Sequence, residues 1–187
     1  MSESESRSET EITLSPSDLI AVQEQLDHQH ADTQAENDQF TQAFLDAKRF
    51  AFSFEGQATL CEEQVAELTL RWGRLTYPKE NAHGFRSFEA HYGTDLGKPI
   101  GSDPKHLVPD MAAWSQLVVA AELEPDELYQ RFEQIHPFHD GNGRVGDLWW
   151  KVLTKRQTGQ WPTTLPPEFV EPQKNKYQSA FGDIEPA

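Results

Sequence analysis

Hydrophobic residues recur every three or four positions over most of this chain, the spacing that places them on one face of an α-helix. Capping residues before these segments and glycine or proline after them set the limits of each predicted helix. The predicted helices run from Ser15 or Ser17 to about Asp27, from Phe40 to Gly56, from Val65 to Tyr77-Pro78, from Pro109 to Ala121, from Pro125 to Ile135 and from Val145 to Gly159, with a short last one at residues 177–181.

The helical pattern stops between residues 80 and 106, where six glycines and prolines interrupt the chain. Apolar and polar residues alternate between Gly84 and Gly93, which is the period of a β-strand. This stretch predicts a short hairpin followed by an irregular connection. The predicted fold class is therefore all-α with one small β-hairpin.

The charge of the chain limits the partners to expect. Its 187 residues carry a net charge of −15, and residues 1–40 alone hold ten acidic residues and one Arg. Such a surface repels nucleic-acid phosphate, so neither DNA nor RNA is an expected partner. A nucleotide in a small local pocket remains compatible with this charge, because a few backbone N–H groups and one Arg can override the overall field.

Membrane and secretory classes are not expected either. The longest apolar run, residues 117–121, is too short to cross a bilayer, and the Ser/Glu-rich start lacks the features of a signal peptide. Cys61 is the only cysteine, which excludes an internal disulfide. These features favour a cytoplasmic location.

Residues 135–144, which read IHPFHDGNGR, carry most of the recognisable chemistry. Gly141 and Gly143 allow consecutive N–H groups to converge at the positive end of the helix that follows, and such a turn binds anions. Arg144 lies in the first turn of that helix, where it can add a charged hydrogen bond to a phosphate. The segment therefore predicts a phosphate site.

Two further side chains of this segment suit phosphate chemistry. Asp140 offers an oxygen ligand suited to Mg²⁺ that bridges phosphates. His136 precedes the turn and can act as a base beside the reacting phosphorus. The alternative is a metal site formed by His136, His139 and Asp140, but this trio lacks i, i+4 spacing and an evident fourth ligand.

These residues resemble the signature of the Fic (Fido) family, His-x-Phe-x-Asp/Glu-Gly-Asn-Gly-Arg-x-x-Arg, at every fixed position except the last. The predicted helices on both sides also resemble those of the family. The resemblance covers residues 40–181, which are the predicted Fic domain. Outside it, composition and spacing predict a disordered acidic tail (1–15), an N-terminal helix and linker (16–39) and a C-terminal tail (182–187).

The resemblance implies transfer of AMP from ATP to a Ser, Thr or Tyr hydroxyl of a target protein. The co-substrate is then ATP, the cofactor is Mg²⁺, and the partners are a nucleotide donor and the target; any oligomer or regulatory partner stays open. The implied roles are a base for His136, a metal ligand for Asp140, a phosphate site for Gly141, Asn142, Gly143 and Arg144, and target alignment by the hairpin at Phe85, Arg86, Ser87 and Phe88.

One position departs from the family signature. Asp147 stands where the second arginine is usual, the residue that by resemblance holds the terminal phosphate of ATP. On the following helix Asp147 can pair with Arg144, and its carboxylate is expected to repel a triphosphate by ~1–4 kcal/mol, which Lys151 can offset. The alternatives to AMP transfer are a donor other than ATP, or a Fic-fold binding module that has lost transfer activity.

The family also has an inhibitory motif, Ser/Thr-x-x-x-Glu-Gly/Asn. Its nearest counterpart here is Glu55-Gly56, with Ala51 where the hydroxyl belongs. Because the arginine that receives this glutamate is absent, an ordinary helix end is the favoured interpretation of Glu55-Gly56.

Overall fold

The structure, a computed structural model, describes residues 12–31, 33–91 and 99–169. In these ranges it consists of helices and one two-stranded antiparallel sheet, in which Ala90 is opposite Ile100 and His91 is opposite Pro99. This confirms an all-α fold with a small hairpin. The elements are α1 (Pro16–His28), α2 (Gln34–Phe52), α3 (Phe54–Gln57), α4 (Glu62–Thr76), β1 (Ala90–His91), β2 (Pro99–Ile100), α5 (Leu107–Ala120), α6 (Pro125–Ile135) and α7 (Asn142–Thr158).

Capping residues fix the starts of the first two helices. The Ser15 hydroxyl accepts the N–H of Asp18 at 3.2 Å, and the Asp18 carboxylate accepts the N–H of Ser15 at 2.7 Å. Thr33 and Glu36 repeat this capping box at the start of α2. α2 therefore begins at Gln34, six residues before the start that its first phenylalanine predicts.

Helix α7 lies at the centre of the fold, where it packs against α2, α4 and α6. Trp149 of α7 contacts Trp72 and Trp114, with ring centroids 4.8 and 5.5 Å apart. All residues from Asn142 to Leu153 are buried, so this part of α7 has no solvent-exposed face. The sequence pattern predicts an amphipathic helix here, but neighbours on every side enclose its charged residues as well.

The chain on either side of the central helices belongs to the same core. Val22 and Leu26 of α1 are buried in it. Asp18 accepts hydrogen bonds from Lys48 of α2 at 2.5 Å and from the indole of Trp161, which follows α7, at 3.1 Å. None of the described helices is long and apolar enough to cross a membrane.

The strands of the hairpin differ from the predicted ones. The alternation between Gly84 and Gly93 predicts strand from Phe85 onward, whereas residues 85–89 are irregular and the strands pair only at 90–91 and 99–100. The reason is Arg86, whose side chain holds this segment against the end of α6. Residues 92–98, the tails at 1–11 and 182–187 and the predicted helix at 177–181 lie outside the described residues, and the predicted division of the chain at 15, 39 and 181 stays a prediction.

Candidate functional site

The turn between α6 and α7 is held by backbone conformations and side-chain contacts of its own residues. His136 ends α6 in the left-handed region (φ 52°), and Gly141 precedes α7 with φ 77°. A Cβ on Gly141 would lie 2.9 Å from Thr76, so this position requires glycine on both counts. The Asn142 side chain accepts the N–H of Phe138 at 2.8 Å and donates to its carbonyl at 3.0 Å. Asn142 therefore closes the turn with its side chain, and only its backbone N–H is left for a ligand.

The predicted anion site corresponds to the first backbone N–H groups of α7. The earliest residue whose N–H bonds back to the turn is Val145, to the carbonyl of Gly141 at 3.0 Å. The N–H groups of Asn142, Gly143 and Arg144 precede it and have no acceptor among the described residues. A Cβ on Gly143 would lie 2.7 Å from the Gln29 carboxamide, so the end of α1 covers this helix start.

His136 lies half-buried beside this helix start. Burial lowers the pKa of its imidazole to about 4, and the Arg86 guanidinium contributes in the same direction. A hydrogen bond from the ring to the backbone carbonyl of Glu133 opposes the shift and orients the ring. The close approach of Gly101, where a Cβ would lie 2.6 Å from that of His136, limits its movement further. The imidazole is therefore uncharged near neutral pH.

Arg86, predicted to align a target, instead points into the protein. Its guanidinium donates to the backbone carbonyls of His136 at 2.7 Å, of Ser102 at 2.6 Å and of Phe88 at 2.6 Å. The backbone N–H of Arg86 donates to the carbonyl of Pro137 at 2.9 Å. Arg86 is 5% exposed, and burial lowers its pKa to about 10, so it stays charged at neutral pH. Its place in the fold is that of a clamp on the loop that carries His136.

The other predicted alignment residues divide between interior and surface. Phe85 packs on Phe138, with ring centroids 5.5 Å apart. Ser87 and Phe88 are exposed, and the Phe88 ring lies 4.8 Å from that of His139. Only Ser87 and Phe88 of the four therefore remain accessible to another protein.

Asp140 is an exposed carboxylate of the site. Its side chain is 54% exposed; one oxygen accepts the N–H of Gly141 at 2.6 Å and lies 3.6 Å from the Arg144 guanidinium. Mg²⁺ at nucleotide sites commonly takes one or two protein carboxylates and completes its shell with water and phosphate oxygens. Asp140 fits this requirement, and no cluster of three or more metal-binding side chains exists in the part of the chain that the structure describes.

Arg144 is buried between Tyr77 and Glu36. Its guanidinium stacks over the Tyr77 ring at 4.5 Å and lies 3.9 Å from the Glu36 carboxylate, to which the Tyr77 hydroxyl also donates. Hydrogen bonds from Thr33 and Tyr77 keep the pKa of Glu36 below its usual range, so the carboxylate is charged. The capping box of α2 marks Glu36 in the sequence, but nothing there indicates its contact with Arg144.

Asp147 is completely buried within α7. It accepts a hydrogen bond from Lys151 at 2.8 Å, and both side chains are 0% exposed. The Lys151 ammonium also donates to the carbonyl of Thr164 at 2.6 Å. Asp147 thus pairs with Lys151, and the predicted pairing with Arg144 is wrong. Its carboxylate is 0% exposed, so it offers no surface that a triphosphate could contact directly.

Glu55 and Gly56 lie in α3, away from this site. Glu55 borders a separate cavity with Arg49 and Arg71. Gly56 is tightly packed, since a Cβ there would lie 1.9 Å from the carbonyl oxygen of Phe50. The structure does not bring the predicted inhibitory pair to His136.

One cavity of about 450 Å³ joins the predicted site residues to others from distant segments. Its walls include the motif residues His136, Asp140, Gly141, Asn142 and Gly143, and beyond the motif His28, Gln29, His91, Tyr129, Glu133 and Glu168. The second group comes from α1, the hairpin, α6 and the segment after α7, and no local pattern in the sequence marks it.

The family assignment follows from the sequence as a whole. A family model described as the Fic/DOC family matches residues 13–153. The chain belongs to the Fic/DOC family. The matched range includes α1 and the start of α2, which bring Gln29 and Glu36 to the site. No curated protein gives a significant match to the chain.

Proposed function

We propose that this Fic-family protein transfers a nucleotide-derived group to a Ser, Thr or Tyr hydroxyl of a target protein. The group that we propose first is AMP, with ATP as its donor. Membership in the family supports a Fic-type transferase in general. The observation that carries the finer proposal is the shared cavity. In it lie together an uncharged His136, the exposed Asp140 and the N–H groups at the start of α7 that have no acceptor among the described residues.

The proposed reaction needs a base, an anion site and charge neutralisation. The target hydroxyl oxygen attacks the α-phosphorus and forms the new P–O bond, while a ring nitrogen of His136 takes the hydroxyl proton. The bond from that phosphorus to the bridging oxygen breaks, and pyrophosphate leaves with the electron pair. The N–H groups of Gly143 and Arg144 donate to the phosphate oxygens. When bound at Asp140, Mg²⁺ supplies positive charge against the phosphates.

The test is a labelling experiment with His136→Ala and a matched control. Purified protein, Mg²⁺, cell lysate and ATP labelled on the α-phosphate should give a labelled protein band, and His136→Ala should reduce it by roughly 10²–10⁴-fold. His83→Ala removes an exposed histidine that does not line this cavity and should leave the label unchanged. The proposal fails if neither ATP nor GTP, UTP or CTP gives a label that depends on His136.

A binding module without transfer activity is the second candidate, and the contact between Glu36 and Arg144 favours it. A carboxylate already faces the arginine that a phosphate needs, at 3.9 Å. Bound nucleotide without any labelled product would select this candidate over the transferase.

Glu36→Gln should strengthen nucleotide binding in either case. The amide keeps an acceptor for the Tyr77 hydroxyl and the cap of α2, but it removes the negative charge that competes with phosphate for Arg144. Loss of ~1 kcal/mol of competing attraction corresponds to a Kd about fivefold lower for ATP with Mg²⁺, measured by calorimetry. Glu24→Gln, at an exposed glutamate of α1, is the control. Weaker binding by Glu36→Gln would mean that Glu36 orients Arg144 for the ligand.

A further inference from the structure

Glu133 is a buried polar residue in the wall of the cavity, and the proposed reaction gives it no role. It lies on α6 one turn before His136 and forms part of the cavity wall. Its side chain is 9% exposed, and its Oε1 atom has no hydrogen-bond partner within the described ranges. Oε1 is closed to solvent beside Gly146 of α7, so a ligand in the cavity can meet only the other oxygen of the carboxyl group, Oε2.

The surroundings of Glu133 leave its carboxyl group uncharged. Burial raises its pKa to about 8, and no cation among the described residues pairs with it. A protonated carboxyl group has one O–H donor and one carbonyl acceptor, and it does not repel a phosphate. Gly146 of α7 lies opposite: a Cβ there would be 2.7 Å from Oε1 of Glu133, so glycine leaves room for the carboxyl group beside the helix.

The position of Glu133 relative to the predicted phosphate site indicates which part of a ligand it meets. With the reacting phosphorus at His136 and the outer phosphates at the start of α7, the sugar is the next group of a nucleotide beyond that phosphorus. Glu133 is three residues from His136, a helical rise of about 5 Å. A sugar hydroxyl is both donor and acceptor, so it can pair with Oε2 whether or not that oxygen carries the proton.

We propose that Glu133 binds a ribose hydroxyl of the nucleotide donor and makes the site selective for ribonucleotides. The inference rests on the proposed function, because it takes the phosphates to lie at the start of α7. It adds a residue outside the motif that determines donor specificity.

The experiment compares ATP, 2′-deoxy-ATP and 3′-deoxy-ATP, each with Mg²⁺, by calorimetry on the full chain. In the unaltered protein one deoxynucleotide should bind about 5- to 100-fold more weakly than ATP, because its missing hydroxyl leaves the carboxyl group buried and unpaired. Glu133→Gln has an amide with the same donor and acceptor capacity and should preserve this difference. Glu133→Met keeps the length of the side chain without its polar atoms and should bind all three nucleotides equally.

The outcomes separate this inference from the proposed function. If no nucleotide binds the unaltered protein, the proposed function fails and the inference fails with it. If ATP and both deoxynucleotides bind the unaltered protein equally well, the inference alone is overturned. It is also overturned if Glu133→Met still discriminates between them. Glu127→Ala, at an exposed glutamate of the same helix, is the control and should behave as the unaltered protein.

Discussion

Arg86→Met should lower the free energy of unfolding by about 3 kcal/mol and raise the pKa of His136. The guanidinium of Arg86 donates to three backbone carbonyls, those of His136, Ser102 and Phe88, and none of these bonds can be made by a thioether. The carbonyl of His136, at the end of α6, accepts no hydrogen bond within that helix, and it and the carbonyls of Ser102 and Phe88 all lose a donor. Removal of the positive charge also removes a repulsion that disfavours the charged imidazole, so the pKa of His136 rises.

Two measurements check this expectation together. Urea denaturation gives the stability, and NMR titration of the imidazole gives the pKa of His136. If Arg86 had a purely structural role, that pKa would stay at about 4. Arg86→Lys keeps the charge but has one ammonium group in place of a planar fork, so it should preserve the pKa better than the stability. Arg74→Met, at an exposed arginine near the end of α4, is the control. If Arg86→Met changes neither quantity, Arg86 does not clamp the loop.

The helices of this protein are largely predictable because their signals are local. Ser15 caps α1 and Gly159 ends α7, where the sequence pattern places both limits. The start of α2 is not predictable from apolar spacing, because its first turn carries no large apolar residue and is fixed by the hydroxyl of Thr33. Strands of two residues are likewise too short to produce an alternating pattern.

The candidate site divides in the same way. His136, Asp140 and Gly141 lie in one short segment, so their proximity could be predicted from the sequence alone. Gln29 and Glu36 reach them only because α1 and α2 pack beside the start of α7, and this depends on contacts between segments a hundred residues apart. No local pattern encodes such contacts.

The main errors of the predictions from the sequence concern charged residues, because hydrophobic and polar patterns place charged residues on the protein surface. Arg86 is buried because backbone carbonyls fifty residues away accept its hydrogen bonds. Asp147 and Lys151 are buried because each neutralises the other and the chain after α7 covers them. Whether a charge can be buried depends on its partner, and the partner is known only from the fold.

Asp147→Met and Lys151→Met should each lower the free energy of unfolding by about 3–5 kcal/mol, since each leaves the other charge buried without a partner. The double variant Asp147→Met/Lys151→Met removes both charges and keeps similar side-chain volume. Its stability should return to within ~1 kcal/mol of the unaltered protein, because the pair gains little over an apolar contact once its desolvation is counted. Urea denaturation of the four proteins gives the coupling directly.

An exposed pair provides the matched control for this cycle. Arg71 of α4 forms an ion pair with Asp46 of α2, and its side chain is 58% exposed. Arg71→Met should therefore change the stability by less than about 1 kcal/mol. If Asp147→Met is equally mild, Asp147 and Lys151 do not form the buried pair.

Asp147→Arg distinguishes two arrangements of Asp147. In one the carboxylate is buried in a pair with Lys151, and in the other it faces the phosphates of the nucleotide donor. A carboxylate directed at the outer phosphates predicts tighter ATP binding when arginine replaces it, with little change in stability. The structure predicts the opposite result, because the new guanidinium would lie beside Lys151 in a site that is 0% exposed, and two like charges would be buried together. Asp147→Arg should therefore unfold at lower urea concentration than Asp147→Met, and its affinity for ATP, measured by calorimetry on the folded fraction, should not exceed that of the unaltered protein. A gain in ATP affinity at unchanged stability would mean that position 147 reaches the phosphates, as the second arginine of the family signature is expected to do.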